Sequence, residues 1–151
     1  MRPSGSYKIT TTGPLDQDLQ RSFILCSWAV QRVLHENKFP FEPFDCHLHF
    51  PLDRIQGSGV SCRLSFAYAL MEVLGVKLPF PASATVMTGD LNLQGDVLPV
   101  GGIAHKIEAA RIAGFENFIV AKQQPEASSF MIQIHHLKDL IRSGRHEVDT
   151  W

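Results

Sequence analysis

The sequence lacks the features that mark membrane-spanning, secreted or zinc-binding proteins. No apolar run approaches the roughly 20 residues that a transmembrane helix needs, and residues 1–6 contain no apolar signal region. The three cysteines are scattered and have neither CxxC nor zinc spacing. Because the net charge is only −1, we expect neither nucleic acid nor an anionic membrane surface as a partner. We therefore expect a protein of the cytoplasm or of an organelle matrix.

The composition is that of a globular domain. Of 151 residues, 44% are hydrophobic and 19% are charged, which is typical of a chain that buries a core. We assign residues 7–145 to one domain. Residues 1–6 are expected to be a cloning-derived or disordered leader, and residues 146–151 a tail.

Apolar periodicity predicts alternating helices and strands. Apolar residues recur at helical spacing over residues 15–37, and Asp16 and Asp18 lie near the positive end of that helix. Shorter helices are predicted at 62–75, 103–113 and 137–142, and strands at 7–12, 45–50, 84–88, 91–93, 96–98, 118–121 and 130–134. Gln94-Gly95 is predicted to turn a hairpin. This order predicts an α+β domain, in which helices pack on a mixed sheet.

Two histidines share the polar face of the strand predicted at residues 45–50. His47 and His49 alternate with Cys46 and Leu48, which point to the opposite face. Two ligands do not make a metal site, and the sequence nearby offers no evident third ligand. We therefore expect this face to line a groove or solvent.

A small-residue loop, Gly57 to Ser61, leads into the helix predicted at residues 62–75. Ser61 then lies at or just before the first helical turn. A serine there can cap the helix. It can also act as a nucleophile, since free N–H groups and the helix dipole stabilise a nearby oxyanion. Taken alone, the position allows both interpretations.

A second glycine-rich turn, Gly101-Gly102, leads into the helix predicted at residues 103–113. Lys106 lies at the edge of the apolar stripe that includes Ile103 and Ala110. A lysine there often extends its amine to solvent. Alternatively, apolar surroundings disfavour the ammonium form and leave an amine that accepts a proton. Because a neutral lysine can activate a serine, we predict that Ser61 and Lys106 form a nucleophile–base pair.

The run from Met87 to Ile103 carries a specific motif. It reads MTGDLNLQGDVLPVGGI, and the segment from Lys106 to Ala110 continues it as KIEAA. These residues resemble the proteolytic domain of Lon, the ATP-dependent serine–lysine protease, whose pattern is MTGE-[IL]-x-L-x-G-x-VLP-[IV]-GG-[LI]. The resemblance covers residues 44–121. It implies a Lon protease-domain fold similar to the ribosomal protein S5 domain 2-like fold.

The resemblance assigns roles to three residues. It implies that Lys106 is the catalytic base, that Ser61 is the nucleophile and that the Thr88 hydroxyl bonds the lysine. Where the Lon nucleophile motif reads DGPSAG, this chain reads SGVSCR, and Ser58, Val60 and Arg63 are among its departures from the motif. Arg63 replaces a glycine. The sequence leaves open whether this cation narrows the substrate cleft or favours a neutral Lys106.

The implied activity is that of a Lon-type serine endopeptidase acting on unfolded or accessible protein segments. It needs no cofactor and no metal. The sequence has no GxxxxGK[ST] phosphate loop. Three possibilities follow: an AAA+ ATPase acts from the same longer chain, it acts as a separate protein, or the domain cleaves accessible segments unaided. Lon domains form sixfold rings, which implies self-association. The alternative is an inactive Lon-like domain that serves as an assembly scaffold in an ATP-driven machine.

Overall fold

A computed structural model describes residues 5–13, 16–49, 60–125 and 131–141. The predicted Gly57–Gly59 loop, most of the polar loop at residues 123–129 and the predicted tail lie outside the described residues.

Three helices form where the apolar periodicity predicts them. They are α1 (Gln17–Glu36), α2 (Arg63–Val73) and α3 (Ile103–Ile112), and residues 137–141 add a last helical turn. The Asp16 side chain caps α1 by accepting a hydrogen bond from Leu19 N at 2.8 Å, which stabilises the helix start by about 1 kcal/mol. A short 3-10 turn, Val60–Cys62, leads into α2.

The strands form three small sheets within the described part of the chain. The first pairs β1 (Ile9–Thr12) and β2 (Cys46–His49) in parallel. The second is parallel in the order β3 (Thr85–Met87), β6 (Asn117–Ala121), β7 (Met131–Ile134). The third is the predicted hairpin, an antiparallel pair of β4 (Asp90–Leu91) and β5 (Val97–Leu98). The molecule is thus α+β, with parallel and antiparallel pairing in separate sheets rather than in one mixed sheet.

The central strand β6 separates two apolar clusters, because successive side chains on a strand point to opposite faces. Ile119 and Ala121 face the larger cluster, which α1 and α2 build. Phe118 and Val120 face the smaller cluster beneath α3. Each large side chain buried in this way stabilises the fold by about 1.5–3 kcal/mol. The packing on both faces of β6 fixes the positions of α2 and α3 relative to each other.

The predicted alternation along β2 is confirmed. His47 and His49 are exposed, whereas Cys46 and Leu48 are half-buried. Thr12 Oγ1 lies 2.8 Å from a ring nitrogen of each histidine. Across the described ranges, no group of three side chains that could hold a metal ion occurs.

Cys26 is a core residue rather than a reactive thiol. It is buried on α1, and burial raises the pKa of its thiol to about 12, so that the thiol stays neutral at physiological pH. Cys26, Cys46 and Cys62 are all free cysteines. None of the described helices has the length and apolar character needed to cross a membrane.

Candidate active site

A cavity of about 450 Å³ opens between the start of α2, the end of β3 and α3. Ser61, Thr88 and Lys106 line it together with Ser65, a fourth polar residue. The other lining residues are mostly apolar: Cys62, Val86, Met87, Ala109, Ala110, Ala113, Phe115 and Phe118. The folding of α2 and α3 onto the two faces of the β6 sheet therefore brings Ser61 and Lys106 to one cavity.

Ser61 lies in the middle of the 3-10 turn before α2 and is half-buried. Its carbonyl accepts hydrogen bonds from Gly89 N at 3.3 Å and from Thr88 Oγ1 at 3.5 Å. In return, Leu64 N donates to Gly89 O at 3.1 Å. These backbone bonds hold the serine turn directly against the segment that carries Thr88.

Gly89 lies close to two buried side chains at this contact. A Cβ added there would lie 3.0 Å from Val97 Cγ1 and 3.2 Å from Leu64 Cδ2. A larger residue would therefore require these side chains to shift by a few tenths of an ångström within a packed core.

Lys106 reaches the cavity from the first turns of α3. Gly102 precedes the helix with φ of 71°, a left-handed conformation that favours glycine. From there the Lys106 amine donates to Thr88 Oγ1 at 3.1 Å and to Gly101 O at 3.3 Å. The side chain is half-buried beside Ile103 and Ala110, which are both buried.

Thr88 joins the two sides of the cavity. Its side chain accepts from the lysine amine and donates to the Ser61 carbonyl. The residue is only 5% exposed, and its backbone N–H bonds Ile119 O at 3.0 Å, which fixes it to β6. In the described residues the Lys106 amine bonds Thr88 and Gly101 and makes no hydrogen bond with Ser61 Oγ.

Arg63 points away from the cavity. It is absent from the cavity lining, and its Nη1 pairs with Asp90 Oδ1 at 3.0 Å. Its Nε donates to Ser22 Oγ of α1 at 3.1 Å. The sequence leaves open what Arg63 does at the cleft; in the structure its guanidinium is bonded to Asp90 and Ser22 and is not among the residues that line the cavity.

Sequence reasoning missed Gln124, which supports the turn before Lys106. This side chain is 4% exposed. Its Oε1 accepts from Val100 N at 3.0 Å, and its Nε2 donates to Val100 O at 2.8 Å. The amide thus bonds the backbone as a neighbouring strand would, one residue before Gly101. One of two adjacent glutamines in a polar stretch gives no signal of this role in the sequence.

The comparisons with known proteins agree with the motif. Residues 1–139 match the model of the Lon protease (S16) C-terminal proteolytic domain. This chain belongs to the Lon protease family. Among curated relatives, "Lon protease" of Methanosarcina barkeri is 36% identical over 121 residues, which cover 79% of this chain and 15% of the relative.

Other members of the Lon family give the same result. "Lon protease homolog 2, peroxisomal" of Caenorhabditis elegans is 31% identical over 126 residues, covering 83% of this chain and 16% of the relative. "Lon protease 1" of Hydrogenovibrio crunogenus is 33% identical over 119 residues, which cover 77% of this chain and 14% of the relative. This Lon-family chain therefore spans only a small part of the length of the relatives it matches.

Proposed function

We propose that this chain is the proteolytic part of a Lon-type serine endopeptidase, with Ser61 as nucleophile and Lys106 as general base. One observation carries the proposal. The hydrogen bond from Lys106 to Thr88, and that from Thr88 to the Ser61 carbonyl, bring the three residues together in one cavity. Three motif residues that are distant in sequence meet at a site large enough for a peptide segment.

The reaction follows from these groups. The neutral Lys106 amine takes the hydroxyl proton of Ser61 while Oγ bonds the peptide carbonyl carbon. The tetrahedral intermediate collapses as the C–N bond breaks, and Lys106 returns the proton to the leaving amine. Water, deprotonated by the same amine, then cleaves the acyl ester and regenerates Ser61. Thr88 positions the lysine throughout.

The backbone of the turn at Val60–Cys62 is our candidate for the oxyanion site. Amides at a helix start point outward and carry the positive end of the helix dipole. The Leu64 amide does not contribute, because it is bonded to Gly89 O. Amides of the turn that contains Ser61 would therefore stabilise the oxyanion.

The apolar wall of the cavity suits unfolded protein segments, whose apolar side chains are exposed. We further propose that residues 7–145 act as one Lon-like proteolytic domain with the ribosomal protein S5 domain 2-like fold. Copies of this domain would assemble into a sixfold ring. An AAA+ ATPase, in the same longer protein or in a separate one, would deliver substrate. The compartment would be the cytoplasm or an organelle matrix.

Proteolysis of defined substrates tests the proposal. The chain, at high concentration to favour assembly, is incubated with a fluorogenic peptide, an unstructured protein and a tightly folded protein, beside Ser61→Ala as blank. We expect hydrolysis of the first two substrates only, and none by the blank. Equal rates in wild type and Ser61→Ala would contradict the proposal and favour the assembly scaffold.

A further inference from the structure

The Arg63–Asp90 ion pair lies behind the candidate active site, on the side of the α2 start that faces α1. The two side chains are only 21% and 24% exposed, and Arg63 Nη1 lies 3.0 Å from Asp90 Oδ1. The same Nη1 donates to Leu91 O at 3.4 Å. Such a partly buried, charge-assisted contact is less screened by solvent than a surface pair.

Arg63 is also attached to α1 at two points. Its Nε donates to the buried Ser22 hydroxyl, and its carbonyl accepts from Cys26 Sγ at 3.2 Å. Ser22 and Cys26 lie one helical turn apart on α1, so both bonds reach the same face of that helix. One residue thus connects α1, α2 and β4.

The two members of the ion pair lie at matching distances in sequence from Ser61 and Thr88. Arg63 follows Ser61 by two residues, and Asp90 follows Thr88 by two residues. Between them run the backbone bonds that join Ser61 and Leu64 to Gly89. The ion pair is therefore a further link across this contact between the serine turn and the Thr88 segment.

We propose that Arg63 and Asp90 are positioning residues, which set the separation of Ser61 from the Thr88-bound lysine. This inference rests on the proposed Ser61–Lys106 dyad. Neither side chain lines the cavity, so both act through backbone placement rather than by touching substrate. In a nucleophile–base pair, a displacement of about 1 Å lowers the rate by about 100-fold.

The test separates positioning from general stability. In Arg63→Met the Asp90 carboxylate loses its partner, which destabilises the protein, whereas Arg63→Met/Asp90→Asn removes both charges and keeps an acceptor for the Leu91 amide. We expect kcat to fall by about 10- to 100-fold in both variants, with KM within about twofold of wild type. Thermal stability should recover in the double variant while kcat does not. A kcat that recovers with stability would overturn the proposal.

Arg32→Met is the matched control. Arg32 forms an ion pair of the same length with Glu36, but both side chains are more than half exposed and lie on α1 away from the cavity. Its loss should leave kcat unchanged. Arg63→Lys keeps the charge without the planar fork, and we expect it to recover part of the lost kcat.

Amide hydrogen exchange makes the proposal testable without activity. In Arg63→Met/Asp90→Asn, whose thermal stability should recover, we expect the Leu64 and Gly89 amides to exchange about tenfold faster than in wild type, while the distant Lys122 amide, bonded to Ile134 O, does not change. If the wild-type protein shows no hydrolysis that depends on Ser61, the proposed dyad is contradicted, but the exchange result for the ion pair still stands. Unchanged exchange at Leu64 and Gly89, or equal acceleration at Lys122, would refute the positioning role whether or not the chain is active.

Discussion

Lys106→Met should lower kcat/KM for peptide hydrolysis by a factor on the order of 10³. Methionine keeps the length and the apolar stem of the side chain but removes the amine that accepts the serine proton. The hydrogen bonds to Thr88 and Gly101 are lost with it. The side chain is half-buried at the surface of α3, so the fold should survive the change. Initial rates with a fluorogenic peptide, together with thermal unfolding of the variant, measure the effect.

Lys122→Met is a suitable control for Lys106→Met, because Lys122 is exposed beyond the end of β6. It should retain the wild-type rate. An undiminished rate in Lys106→Met would rule out the dyad.

Gly95→Ala should lower the free energy of unfolding by about 3–5 kcal/mol. Gly95 has φ of 91°, and a Cβ there would lie 2.5 Å from Val33 Cγ2 and 2.8 Å from His136 Cε1. Val33 is fully buried on α1. The His136 ring is held by Gln94 O at 2.6 Å and by the Lys138 amide at 3.1 Å. Neither neighbour can move without losing packing or hydrogen bonds.

Gly75→Ala isolates the conformational part of that cost. Gly75 has a similar φ of 94°, but nothing lies within 4 Å of a Cβ added there. We expect this variant to lose only about 1 kcal/mol. Urea denaturation of both variants and wild type gives the two differences. If the free energy of unfolding falls no further in Gly95→Ala than in Gly75→Ala, the close contacts at the hairpin turn do not destabilise the variant.

The local elements could be predicted from the sequence because their signals are local. The periodicity of α1 and the carboxylates of Asp16 and Asp18 near its start predict that helix, and Gln94-Gly95 predicts the hairpin turn. The strand pairing could not be predicted in this way. β1 and β2 are separated by the whole of α1, and β3 pairs with β6 across α3. Such pairing depends on how the helices pack, which no single stretch of sequence encodes.

The candidate site was predictable to the extent that it forms a motif. Ser61, Thr88 and Lys106 fall at positions that the Lon pattern marks, and the structure places them around one cavity. Their support was not predictable. The partner of Arg63 lies 27 residues away at Asp90, and Gln124 bonds Val100 from 24 residues away. Both contacts form only after α1, α2 and the β6 sheet have packed.

The most direct test of Ser61 as the nucleophile is to find which residue a serine-directed peptidyl inhibitor modifies covalently. Mass spectrometry of the treated chain should find one adduct, on the peptide that contains Ser61. Ser65 is the control, because it is the other serine that lines the cavity. Ser65→Ala should react like wild type, Ser61→Ala should stay unmodified, and Lys106→Met should react far more slowly. An adduct on Ser65 or another residue, or equal labelling of Ser61→Ala, would show that Ser61 is not the nucleophile.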